Sequence, residues 1–210
     1  MDNRKVFYLF MKRVFDIVVS LVGLVLLMPI ALVIKIAYLC TGDTYSIFYA
    51  QPRIGRGGKV FKMVKFRSMV PNAEQELEEL IKTNEEIAKE YKENKKLAKD
   101  PRVTKVGSII RRWSIDEIPQ FINVFYGSMS VIGNRPYLLS EKKEIRERYY
   151  TEIIKVKPGI TGLWQISGHN DVLFKSRVEL EATYAELACL SLDIHILFRT
   201  IGAVIGGGNS

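Results

Sequence analysis

From Ile17 to Ile34 the only polar side chain is Ser20, and the run is bounded by Asp16 and Lys35. An apolar stretch of this length reads as a membrane segment. Pro29 lies inside it; proline lacks the backbone donor and crowds the preceding turn, so a break or kink is expected there. The limb from Asp16 to Pro29 makes roughly 20 Å of helix, short of the ~30 Å hydrocarbon core. Basic residues flank both sides, with Arg4, Lys5, Lys12 and Arg13 before the segment and Arg53, Arg56, Lys59, Lys62, Lys65 and Arg67 after it. If basic flanks stay cytoplasmic, a helix that enters, bends at Pro29 and returns satisfies both; a tilted, kinked transmembrane helix is the alternative. No A-x-A-like site follows at Tyr38-Leu39-Cys40-Thr41, which argues against a cleaved signal.

Beyond the segment, Ser46–Gln51 and Lys59–Phe66 are β-rich runs around Gly55-Arg56-Gly57-Gly58, which predicts a hairpin. Ala73–Lys99 is charged and helix-prone, with Leu77, Leu80, Ile81, Ile87 and Leu97 as a narrow packing stripe. Ser140 resembles an N-cap for a helix over Glu141–Tyr150, and Lys157-Pro158-Gly159 a turn into a strand-like Gly162–Ile166. Ser176–Leu190 and Leu192–Ile205 read as amphipathic helices. The second, with Ile194, Leu197, Phe198, Ile201 and Val204 on one side, suits either a core or a membrane interface. The pattern predicts an α/β chain, mostly helical with a small β-hairpin or sheet element. On the re-entrant reading, residues 1–40 are expected to form a basic lead and a re-entrant membrane helix, and 41–210 one cytoplasm-facing domain.

Composition adds a sign. The chain carries 31 Lys+Arg against 23 Asp+Glu, a net +8 that suggests an anionic partner: nucleic acid, an acidic membrane or a phosphorylated substrate. The aromatic and basic interleaving of a single-strand nucleic-acid binder is lacking. Cys40, Cys189, His169 and His195 are isolated, without the spacing of a disulfide framework or a zinc site. Phosphate-loop, nucleophile-elbow and dinucleotide fingerprints do not occur.

The sharpest constellation is Asp116-Glu117, preceded by Arg111-Arg112 and followed by Asn134-Arg135-Pro136. A carboxylate serves as nucleophile or metal ligand, and guanidiniums suit phosphate. Ser114-Ile115-Asp116-Glu117 also fits a capping box, with Ser114 as cap and Glu117 reaching back. Consecutive helical side chains point about 100° apart, so the two carboxylates should hold different roles. Alternation puts Lys65 and Arg67 on one face opposite Phe66, as paired cations or as the charged guard of a strand edge.

These residues sit in ordered motifs that resemble the bacterial sugar transferases, the monotopic polyprenyl-phosphate phosphoglycosyl transferases. The motifs are Lys12-Arg13-Val14-Phe15-Asp16, Phe48-Tyr49-Ala50-Gln51-Pro52-Arg53-Ile54-Gly55, Lys65-Phe66-Arg67-Ser68-Met69, Asp100-Pro101-Arg102-Val103-Thr104, Arg111-Arg112-Trp113-Ser114-Ile115-Asp116-Glu117, Gly133-Asn134-Arg135-Pro136, Lys157-Pro158-Gly159-Ile160-Thr161-Gly162-Leu163-Trp164-Gln165 and Ser191-Leu192-Asp193. The resemblance implies an enzyme on the cytoplasmic face of a bacterial inner membrane, of the minimal form. Such an enzyme uses Mg²⁺ to move a sugar-1-phosphate from a UDP-sugar to polyprenyl phosphate, with UMP leaving. It implies Asp116 as nucleophile of an aspartyl-phosphosugar, Glu117 with Asp116 at the metal, and Lys65, Arg67, Arg112 and Arg135 toward phosphate or nucleotide. Nucleic acid is not an expected partner, and homo-oligomerisation is left open. Three departures stand out: Met28 replaces the serine that often precedes the membrane proline, Asn134 loosens the usual Gly-Pro-Arg-Pro, and His169 stands where a basic residue is usual. A tethered basic protein binding acidic lipid or nucleic acid without catalysis is the alternative.

Overall fold

The structure is a computed structural model that describes residues 3–94, 97–167 and 174–205. The apolar segment lies in one long helix, α1 (Asn3–Cys40), which continues through Pro29. The expected break is therefore not a helix end: the helix runs on past Pro29, with Leu27 and Ile34 on either side of it buried. A hairpin follows as predicted: β1 (Phe48–Ile54) pairs with β2 (Val60–Phe66). Its connection needs Gly57 and Gly58, both at positive φ (69° and 73°).

The single charged helix expected over Ala73–Lys99 is instead two, α2 (Ala73–Thr83) and α3 (Glu85–Asn94). Asn84 divides them because its Oδ1 accepts the N–H groups of Glu86 and Ile87 at 3.0 and 3.1 Å, a cap that ends one helix and starts the next. Then come α4 (Lys105–Arg112), α5 (Gln120–Phe125), β3 (Ser130–Ile132), α6 (Glu147–Ile153), β4 (Gly159–Thr161), α7 (Leu163–Ile166), α8 (Phe174–Leu187) and α9 (Leu190–Ile205). Two further expectations are corrected. Ser140–Glu144 is a 3-10 turn rather than the first turn of α6, and the strand ends at Thr161, so that Leu163–Ile166 is helical. His169 lies outside the described residues.

Contacts gather into two compact units. The first comprises Met1–Leu27, Ala50–Val64 and Pro119–Ser210. Its centre is the parallel pair β3–β4, with Ser130 opposite Gly159 and Ile132 opposite Thr161. A core of Met63, Val124, Met129, Val131, Tyr184 and Ile196 packs around it. The strands run into loops that approach closely: a Cβ on Gly133 would lie 2.3 Å from the Lys157 carbonyl, and one on Gly162 2.1 Å from the Gly133 carbonyl. Asn134 does not leave this loop slack, because its Nδ2 donates to Ile153 O at 3.1 Å and its carbonyl accepts Gly159 N–H at 2.7 Å.

The first half of α1 is built into this unit by polar contacts. Arg13 donates to the Val124 and Phe125 carbonyls at 2.7 and 2.8 Å, the last of α5. Asp16, 2% exposed, accepts from Ser130 Oγ and Val131 N–H at 2.9 and 2.8 Å. Lys12 pairs with Asp193, which also accepts the hydroxyls of Tyr184 (2.7 Å) and Tyr8 (2.9 Å). Further along, Gly23 leaves room for Phe121, whose ring a Cβ would meet at 2.3 Å.

The second unit comprises Met28–Tyr49 and Lys65–Ile118. Here the far end of α1 is held by Tyr38, 1% exposed, whose hydroxyl donates to the Arg67 carbonyl at 2.6 Å. Thr104 caps α4 by accepting the Gly107 N–H at 2.8 Å, and Gly107 lies so close to Ser68 O that a Cβ would stand 1.8 Å away.

Candidate active site

In the second unit the Asp116-Glu117 pair sits on a 3-10 turn, Ile115–Glu117. An α-helix beginning at Ile115 would need an N–H at position 119 to bond back to its carbonyl, and Pro119 has none. The turn closes one residue earlier instead, with Ile118 N–H on Ile115 O at 3.1 Å. The capping-box expectation is thereby corrected: Ser114 adopts a left-handed φ of 52° and its side chain makes no capping bond. Three residues per turn put successive side chains about 120° apart, so the two carboxylates diverge.

They nevertheless share one cation. Lys65, near the end of β2, places Nζ 2.8 Å from Glu117 Oε1 and 3.7 Å from Asp116 Oδ2. The Asp116 side chain is 14% exposed and that of Glu117 38%. Burial raises the Asp116 pKa above the ordinary carboxylate value; Lys65 opposes that rise, Glu117 adds to it and Arg111 opposes it. The result is a desolvated carboxylate facing one ammonium beside a more open carboxylate. Two adjacent hard oxygen donors fit Mg²⁺, which takes one or two carboxylates and draws its remaining ligands from phosphates and water. Among the described residues no group of three or more His, Cys, Asp or Glu side chains forms an all-protein cage.

The other cations part company. Arg67 is buried, and its guanidinium is committed within the protein: Nη2 donates to both carboxylate oxygens of Asp43 at 2.8 and 2.9 Å, and Nε and Nη1 to the Ser46 and Met69 carbonyls. It also lies 4.6 Å over the Tyr38 ring. Arg67 thus braces the loop after α1, and the expected pairing with Lys65 on one face is not made. Arg112 is exposed at the end of α4, whereas Arg111 donates to Ser68 Oγ at 2.8 Å.

Arg135 belongs to the first unit, where buried charges that the sequence pattern did not single out surround it. Its main-chain N–H donates to Glu181 at 2.7 Å, and its guanidinium to Glu141 at 3.1 Å. Glu181 is 1% exposed, and burial pushes its pKa up to about 8 against the lowering by Arg135 and Arg177. A carboxyl raised in the folded state contributes stability that is complete below its unfolded value near 4.5 and lost as pH rises through about 8. Thermal unfolding between pH 5 and 9 should therefore show a decline that Glu181→Gln removes; parallel profiles would refute it. The signal for these residues in sequence is slight, since acidic positions on α8 look like an ordinary solvated face.

The pattern of the family described as "Bacterial sugar transferase" matches residues 7–207. The chain is 44% identical over 199 residues to the "UDP-galactose-lipid carrier transferase" of Erwinia amylovora, covering 93% of this chain and 40% of that protein. It is also 44% identical over 200 residues to the "Undecaprenyl-phosphate galactose phosphotransferase" of Salmonella typhimurium, again spanning 93% of this chain and 40% of the relative. Against the "Exopolysaccharide production protein ExoY" of Sinorhizobium fredii the identity is 40% over 193 residues, 92% of this chain and 84% of that one.

Proposed function

Because the chain belongs to the bacterial sugar transferase family, we propose that it transfers a sugar-1-phosphate from a UDP-sugar to a polyprenyl phosphate, releasing UMP, in surface glycan assembly. The observation that carries this reading is the desolvated Asp116 held with Glu117 around Lys65. Asp116 attacks the β-phosphorus of the donor; its Oδ–P bond forms as the bond to the UMP oxygen breaks. The phosphate oxygen of the polyprenyl acceptor then attacks the same phosphorus, the aspartyl O–P bond breaks and the carboxylate is restored. Lys65 balances charge on the carboxylates and on the incoming pyrophosphate, while Arg112 engages phosphate or nucleotide. Glu117, with Asp116, would hold Mg²⁺, which when bound supplies neutralisation of the pyrophosphate. UMP release with undecaprenyl phosphate across a panel of UDP-sugars should identify one productive donor and stop in excess chelator. Release from none of them would overturn the activity, and full rates in chelator would remove the metal.

The same reading places both ends of α1 at the cytoplasmic face. In its support, basic side chains flank the apolar run on both sides, Arg4, Lys5, Lys12 and Arg13 before it and Arg53, Arg56 and Lys59 after it. The outward positions Val22, Val25, Met28, Leu32 and Val33 are left for lipid, and Ile194, Phe198 and Ile201 on α9 are exposed in a way that suits the interface. Cysteines placed at Asn3 and Thr44, in a background without Cys40 and Cys189, should both resist an impermeant thiol reagent in intact cells. Labelling of one alone would show a span.

A further inference from the structure

Lys157, in the loop before β4, is half-buried, and among the described residues its ammonium makes no hydrogen bond and no ion pair. Arg13 of α1 faces the same spot. A Cβ built on Gly127 would stand 3.5 Å from Lys157 Nζ and 3.5 Å from Arg13 Nη2, so the two cations meet over one glycine. The Arg13 guanidinium is held by the Val124 and Phe125 carbonyls, and neither partner is a carboxylate. Asp16 does not neutralise the pair by contact, because its Oδ1 accepts from Ser130 Oγ and Val131 N–H. The Lys157 pKa is lowered first by burial and then by the charge of Arg13, with Asp16 opposing. Two cations partly taken out of water without a bonded counter-ion leave a place for an anion.

The setting decides which anion. Arg13 stands one helical turn, roughly 6 Å, before the apolar run that opens at Ile17. From its neighbour Val14 an exposed apolar stripe of Val18, Leu21, Val22 and Val25 leads along α1 into that run. Tyr126, beside Gly127, is 80% exposed, which suits an aromatic side chain at the headgroup level of a bilayer. A ligand with phosphate at one end and hydrocarbon at the other meets both features. Arg13 is already partly balanced by two carbonyl dipoles at the end of α5, so one uncompensated ammonium remains. A singly charged phosphate diester matches it better than a doubly charged monoester.

We propose that Arg13 and Lys157 form a binding site for the phosphate diester of an anionic phospholipid, whose acyl chains run along the exposed stripe of α1. This rests on the reading that the apolar run lies in a bilayer. Lys157 supplies the unspent charge, and Arg13 a second contact from the N–H groups that the carbonyls leave over. Gly127, at a φ of 81°, keeps the space between them clear of a side chain.

The test uses the full chain in vesicles of phosphatidylcholine, alone or mixed with phosphatidylglycerol, with the lipid retained after mild detergent extraction read by native mass spectrometry. Wild-type protein should float with both kinds of vesicle and retain phosphatidylglycerol in preference to phosphatidylcholine. Lys157→Gln should weaken that retention about tenfold, the scale of one charged hydrogen bond. Lys155→Gln removes the same charge from an exposed side chain paired with Glu152 and should leave retention unchanged. Gly127→Asp is the second probe should Lys157→Gln fold poorly. Its carboxylate meets both cations from within and should expel the lipid, whereas Gly127→Asn, with the same backbone strain and no charge, should keep it. Absence of flotation with either vesicle would defeat the membrane reading and the proposal with it. Flotation without preference for phosphatidylglycerol, equal losses from Lys155→Gln and Lys157→Gln, or wild-type retention by Gly127→Asp would defeat the site alone. Displacement of the retained phosphatidylglycerol by equimolar undecaprenyl phosphate would reassign the two cations to the substrate and overturn the phospholipid proposal.

Discussion

Asp116→Asn should abolish turnover by at least ~10³-fold, the scale seen when a nucleophile is removed, while leaving the fold in place. Asparagine is nearly isosteric, and Asp116 makes an ion pair only at the long distance of 3.7 Å, so little stability depends on its charge. The diagnostic measurement is exchange of labelled UMP into UDP-sugar with enzyme and Mg²⁺ but no polyprenyl acceptor. A covalent aspartyl-phosphosugar is reversed by UMP, so wild-type protein should exchange and Asp116→Asn should not. Ping-pong kinetics should accompany it, because two half-reactions relieve the donor and the lipid acceptor of having to meet. Wild-type turnover with neither exchange nor a trapped adduct would point to direct displacement in a ternary complex and leave Asp116 as a base or ligand.

Asp193→Ala should produce the largest loss of stability, roughly 3–5 kcal/mol, the cost of stranding one partner of a buried pair. Lys12, with 15% of its side chain exposed, would lose its counter-ion, and the Tyr8 and Tyr184 hydroxyls would lose their acceptor. Set against a usual total of about 5–15 kcal/mol, that loss is a large share. Denaturant unfolding in detergent should show it as a shift in midpoint. Lys12→Met combined with Asp193→Leu should recover much of it, because replacing both charges removes the uncompensated one. If Asp193→Ala unfolds at the wild-type midpoint, the cluster does not hold α1 to the first unit.

Several features follow from local rules. The apolar run of α1, the glycine-rich turn of the hairpin and the paired carboxylates at 116 and 117 are legible because each rests on hydrophobic length, backbone freedom or side-chain chemistry within a few residues. The break at Asn84 and the 3-10 turn before Pro119 were legible in principle too, since an asparagine ahead of Glu85-Glu86 is a capping signature and a proline four residues after Ile115 forbids the α-helical bond.

Other assignments needed partners distant in sequence. Lys65 and Arg67 stand two residues apart with the same charge, yet one meets Glu117 across 52 positions and the other is absorbed by Asp43, 24 positions earlier. Lys12 and Arg13 look like a cytoplasmic basic flank, and only the placement of Asp193 and the end of α5 turns them into parts of the packed unit. Glu141 and Glu181 look like surface acids until β3, α8 and the intervening loop bring them to Arg135. The sequence determined which side chains could carry charge and where helices and turns could form. Which charges were left open for a substrate was decided by the tertiary structure, because a carboxylate or guanidinium takes its role from whichever opposite charge the fold brings within a few ångströms of it in a desolvated setting.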